Sequence, residues 1–85
     1  MTDTKTILIA DDDGDIREVV RILLESEGFH VVEAKDGDDA VNKISPEIDL
    51  YILDVMMPGK NGYQVCREIR LASASPVLFL TAKSQ

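Results

Sequence analysis

The sequence predicts an α/β domain built on a parallel sheet, and three observations carry that expectation. Short aliphatic runs without polar alternation, "TILIA" (6–10) and the interior of "DLYILD" (49–54), read as strands covered on both faces. Segments with apolar residues at three- and four-residue spacing lie between such runs. The two kinds alternate along the chain, and a parallel sheet with right-handed crossovers is the economical way to pack such a string.

Taken in order, the first strand is residues 6–10. A helix follows in which Ile16, Val19, Val20, Leu23 and Leu24 form the inward set, with Arg17, Arg21 and Glu25 on other faces. Asp13 is placed to cap its start and Gly28 to supply its left-handed stop. "FHVVEA" (29–34) is the second strand. "KDGDDAVNKI" (35–44) then gives an acid-rich turn and a short helix with Ala40, Val41 and Ile44 inward, which Ser45 and Pro46 break. After the third strand and the loop "VMMPGKNG" (55–62), a helix carries Val65, Cys66 and Ile69 on one face, and Pro76 punctuates its exit. "PVLFLT" (76–81) is the fourth strand.

At 85 residues the chain holds one small domain, and no apolar stretch approaches the length needed to cross a bilayer. Sixteen acids against nine bases leave a net charge of −7, which repels nucleic-acid phosphates and argues against direct contact with DNA. A single cysteine, Cys66, cannot close an intrachain disulfide, and the amino terminus lacks a secretory pattern, so a reducing cytoplasm is the expected compartment.

The chemistry gathers where the strands end. In a parallel α/β sheet the loops leaving the carboxyl ends of strands share one edge, which brings together Asp11 and Asp12, Asp54 and Thr81. Two carboxylates about 5 Å apart repel by roughly 3 kcal/mol at an effective dielectric near 20, so such crowding calls for a cation. Two or three carboxylates suit a hard divalent ion, magnesium above others because it takes few protein ligands plus waters and phosphate oxygens. With that repulsion relieved, a carboxylate oxygen of Asp54 can attack a phosphoryl group, and Thr81 can donate its hydroxyl to the phosphoryl oxygens.

Other readings of the acids do less well. "YILD" also describes the metal-binding strand of nucleotide triphosphatases, but the chain has no G-x-x-x-x-G-K-[ST] loop. A D-x-D of aspartate-nucleophile phosphatases can be found as Asp11 and Asp13, yet it leaves Asp12 and Asp54 without a role. His30 has no second ligand nearby and reads as a rim residue, Cys66 as a small core residue, and Met57 as packing under its loop. Asp36, Asp38 and Asp39 flank a helix start, where negative charge is favourable.

"ILIADDD", "LYILDVMMPGKNGYQVCREIR" and "PVLFLTAK" closely resemble the receiver domain of bacterial two-component response regulators, over residues 6–83. The resemblance implies a flavodoxin-like doubly wound sheet with strand order 2-1-3-4. It implies Asp54 as phospho-acceptor, Asp11 and Asp12 as the acid pair, with Asp12 the direct ligand, and the backbone carbonyl of Met56 completing the protein's share of a Mg2+ shell. Thr81 matches the switch hydroxyl and Ala82 the small residue beside the phosphate, while Pro58, Gly59 and Gly62 shape the loop. The implied partner is a sensor histidine kinase, which donates from a phosphohistidine. The style of the motifs is similar to winged-helix transcription regulators, which places a transcriptional output domain outside this segment.

By the same resemblance a receiver continues after its fourth strand with a helix, a fifth strand ending in a lysine, and a last helix. Residues 1–85 therefore read as one truncated receiver domain, and neither Lys60 nor Lys83 stands where that lysine belongs. The bare edge and sheet face that follow from this predict a homo-oligomer, with exchanged elements as one route to it. The competing function is a non-catalytic assembly fragment that keeps the first part of the fold.

Overall fold

The structure, a computed structural model, describes residues 4–80. Seven elements run in strict alternation: β1 (Thr6–Ala10), α1 (Gly14–Ser26), β2 (His30–Ala34), α2 (Gly37–Asn42), β3 (Leu50–Asp54), α3 (Gly62–Ala72) and β4 (Val77–Leu80). All strand pairs are parallel and the order is β2-β1-β3-β4, the flavodoxin-like α/β arrangement that the resemblance implies. The register sets Ala10 beside Ala34 on one side and Leu53 on the other, so β1 and β3 finish side by side.

Local chemistry sets the helix limits. The Asp13 carboxylate accepts the N–H groups of Asp15 and Ile16, satisfying two donors that have no partner within α1. Asp36 does the same for Asp39 at the start of α2, and Asn61 and Gln64 form a reciprocal capping box on α3. Gly28, at φ 95°, turns the chain out of α1. Helix α2 stops at Asn42, so Ile44 reaches the core from beyond the helix, and Phe29 packs inward just before β2 begins.

Alternation along the strands divides the interior into two layers. Leu8, Ala10, Tyr51 and Leu53 face α2 and α3, where Ala40, Val65 and Ile69 close the larger core. Ile7, Ile9, Val31 and Ile52 face the other way, toward Val20 and Leu24 of α1. The Tyr51 phenol, fully buried, donates to the Ser45 carbonyl and accepts the Ser45 N–H, so its polar end is satisfied inside. Cys66 packs at the margin of the larger core, Met57 is buried under its loop, and His30 is exposed at the strand start.

Two expectations need correction. Only Val20 and Leu24 of the α1 set meet the sheet, whereas Ile16, Val19 and Leu23 are 38%, 57% and 59% exposed. Helix α1 stands alone on its face among the described residues, and a single helix on a sheet buries a narrower stripe than its apolar arc offers. Arg17 and Arg21, placed on other faces by the periodicity, are half-buried on the sheet side, held there by Glu33 of β2. Strand β4 pairs with β3 only among the described residues, in keeping with the bare edge and face expected there, and Leu78 and Phe79 are exposed, Phe79 leaning on Tyr63 with ring centres 4.9 Å apart.

Candidate metal centre

The parallel register delivers the acids to one place. Asp11 follows Ala10 directly and extends the ladder by one bond, its N–H donating to the Ala34 carbonyl at 3.2 Å. Asp54 is the last residue of the neighbouring β3. Asp11, Asp12 and Asp54 each offer a carboxylate oxygen, and the three atoms lie within 4.8 Å of one another. Asp11 and Asp54 are buried, at 4% and 6% exposure, while Asp12 is open to solvent. The acid group expected at the strand ends is thus assembled, and Asp13 turns away to cap α1.

Each acid is oriented by backbone. The Asp13 N–H donates to Asp11 Oδ1 at 2.9 Å, closing a tight turn that keeps the Asp11 carboxylate at the strand end. The Met56 N–H donates to Asp54 Oδ1 at 3.3 Å. The loop after Asp54 is drawn shut by the Gly62 N–H on the Val55 carbonyl, and a Cβ on Gly62 would sit 2.5 Å from the Asp54 carbonyl oxygen, so α3 can begin this close only with glycine. Gly59 in the same loop adopts φ 77°, a left-handed conformation. Thr81 lies outside the described residues, as do Ala82 and Lys83.

Electrostatically the site is a concentration of negative charge. Burial pushes the Asp54 carboxyl above the usual carboxylate range, the neighbouring Asp11 and Asp12 push it further, and the Met56 N–H partly opposes them. Among the described residues none of the three acids forms an ion pair with a lysine or arginine. Carboxylate oxygens are hard donors, and three of them at this separation match the needs of a hard divalent cation. Zinc and copper centres draw most of their ligands from histidine and cysteine, and neither is among these three residues.

One residue beside the site escaped the reading of the sequence. Arg17 Nη1 donates to the Asp11 carbonyl at 2.7 Å, while its Nε donates to Glu33 Oε1 at 3.0 Å. A signal was available: Arg17 stands three and seven residues before Val20 and Leu24, on the stripe that meets the sheet.

The model of the response regulator receiver domain matches residues 7–85. The chain is 44% identical over 85 residues to the transcriptional regulatory protein ResD of Bacillus subtilis, an alignment covering 99% of this chain and 35% of that protein. It is 44% identical over 77 residues to the transcriptional regulatory protein CpxR of Escherichia coli, covering 91% and 33%. Among solved structures, the response regulator TrrA of Thermotoga maritima in complex with Mg2+-BeF superposes with a TM-score of 0.87 at 40% identity, over 95% of this chain and 72% of that one. The chain belongs to the response regulator receiver domain family. It spans about a third of the length of the two curated relatives, both of which are transcriptional regulators.

Proposed function

We propose that this chain is the phospho-accepting segment of a two-component response regulator, with Asp54 as acceptor and Mg2+ as its metal. The observation that carries the reading is the triad of carboxylate oxygens within 4.8 Å, two of the three acids buried and none in an ion pair among the described residues. Asp11, Asp12, Asp54 and the backbone carbonyl of Met56 are the groups that would hold the metal. When bound, the ion supplies positive charge that offsets the repulsion between a carboxylate nucleophile and the phosphoryl oxygens.

The chain's own residues do the rest. Asp54 Oδ1 is held by the Met56 N–H, which leaves Oδ2 as the nucleophile. A bond forms from Oδ2 to phosphorus of a phosphohistidine on a sensor histidine kinase, the phosphorus–nitrogen bond breaks, and the imidazole departs with the electron pair and takes a proton from water. Thr81 is the switch hydroxyl, donating to a phosphoryl oxygen of the resulting acyl phosphate. The relatives' roles support a transcriptional output domain as the element switched by this receiver segment.

Among the described residues β4 pairs with β3 alone, and this edge, with Leu78 and Phe79 exposed, favours a second reading in which copies of the chain assemble through it without chemistry. One experiment separates the two. Incubation with acetyl phosphate and Mg2+, followed by intact mass, adds a single phosphoryl group under the first reading and none to Asp54→Asn. An unmodified wild-type chain sedimenting as an oligomer would instead support assembly.

A further inference from the structure

The acid turn is held in place from α1, and the holder is a residue outside the metal-ligating set. We propose that Arg17 is a positioning residue for the acid pair, fixing the Asp11–Asp12 peptide so that both carboxylates are set for a divalent cation. The inference rests on the reading of this site as a metal centre.

Asp11 is tied at both ends of its backbone. Its N–H donates to the Ala34 carbonyl at 3.2 Å, and its carbonyl accepts Arg17 Nη1 at 2.7 Å, the shorter and charge-assisted bond. That carbonyl belongs to the peptide plane joining Asp11 to Asp12, and because a peptide is planar, holding its oxygen sets the direction of the Asp12 N–H and the position of the Asp12 Cα. Asp12 needs such help. It is exposed, and among the described residues its side chain accepts no hydrogen bond, so its place opposite Asp54 depends on the backbone that carries it.

The guanidinium is itself anchored. Glu33 of β2 takes Arg17 Nε on Oε1 and Arg21 Nε on Oε2, both at 3.0 Å, and the Arg17 side chain is only 19% exposed. Arginine is suited to this because its rigid fork can reach a carboxylate and a carbonyl together, whereas the ammonium of lysine is a single point. Arg17 lies on the Val20–Leu24 stripe, where its half-buried guanidinium is satisfied by the bonds to Glu33 and the Asp11 carbonyl. Arg21 provides an internal comparison: it shares Glu33 and also bridges to Glu25, but among the described residues it makes no hydrogen bond to the acid turn.

The test is calorimetric titration with Mg2+ of the wild-type chain, Arg17→Gln, Arg17→Lys and Arg21→Gln, paired with acetyl phosphate labelling across Mg2+ concentrations. Arg17→Gln is expected to weaken Mg2+ affinity by about 10-fold, the low end of what losing an outer-shell partner of a metal ligand costs. The Mg2+ concentration for half-maximal labelling should rise by the same factor, with the rate at saturating Mg2+ unchanged within about twofold, whereas simple misfolding lowers binding stoichiometry instead. If Arg17→Gln does lower stoichiometry, Arg17→Lys decides the matter: weakened affinity supports the fork geometry, and wild-type affinity overturns it. Arg21→Gln should leave affinity unchanged. Undiminished affinity in a folded Arg17→Gln, or an equal loss in Arg21→Gln, overturns the role of Arg17 alone; a wild-type chain with no saturable Mg2+ binding overturns the metal centre itself and this role with it.

Discussion

Replacing Asp54 with asparagine should make the metal-free protein more stable at neutral pH, the opposite of what removing a buried polar group usually does. The carboxylate sits with oxygens of Asp11 and Asp12 within 4.8 Å. Coulomb's law at that distance gives about 3.5 kcal/mol per pair at an effective dielectric of 20 and about 0.9 kcal/mol in water. The pair with buried Asp11 falls nearer the first figure and the pair with exposed Asp12 nearer the second. Asparagine keeps an oxygen for the Met56 N–H, so little is lost in exchange. The expected gain is about 2–4 kcal/mol, read as a rise in the urea midpoint at constant slope in the presence of a chelator.

The pH dependence carries its own sign. A carboxyl whose folded pKa lies above its unfolded value binds its proton more tightly in the native state, so the wild-type fold gains stability as pH falls through the raised folded pKa toward 3.8. The advantage of Asp54→Asn is therefore complete above the folded pKa and shrinks below it. Saturating Mg2+ should also remove or reverse it, because only the wild type gains the binding energy. A variant no more stable than wild type at pH 7.5 in chelator, or an advantage that grows on acidification, would refute the picture of three mutually repelling carboxylates.

Asp12→Ala should leave the urea midpoint within about 0.5 kcal/mol or slightly raise it, since the residue is exposed, while abolishing saturable Mg2+ binding by calorimetry. Gly62→Ala should cost about 1–3 kcal/mol in chemical unfolding, because its Cβ meets the Asp54 carbonyl oxygen at 2.5 Å and α3 has to shift. Tyr51→Phe should cost about 1–3 kcal/mol, leaving the Ser45 N–H and carbonyl without their buried partner. Leu78→Lys on the open strand should lower the average mass seen by sedimentation if copies pair through β4.

Much of the site was legible because strand ends are marked locally. The aliphatic runs ending in Asp11 and Asp54 identify two strands and the residues that leave them, and Asp13 announces a helix start through its side-chain chemistry. Arg17 was not legible in the same way. Its two bonds cross from α1 to the end of β1 and to β2, contacts that no spacing within the helix encodes.

By itself the sequence determined the order of strands and helices, the cap on α1, and the arrival of three carboxylates at one sheet edge, since each follows from periodicity, turn chemistry and the parallel rule. Tertiary structure alone decided that Asp11 and Asp54 are buried while Asp12 stays wet, and that two rather than five of the expected α1 residues meet the sheet. An apolar arc records what a segment is able to bury. What it does bury depends on which neighbours the rest of the chain sets beside it, and that information lies in contacts between residues far apart in sequence.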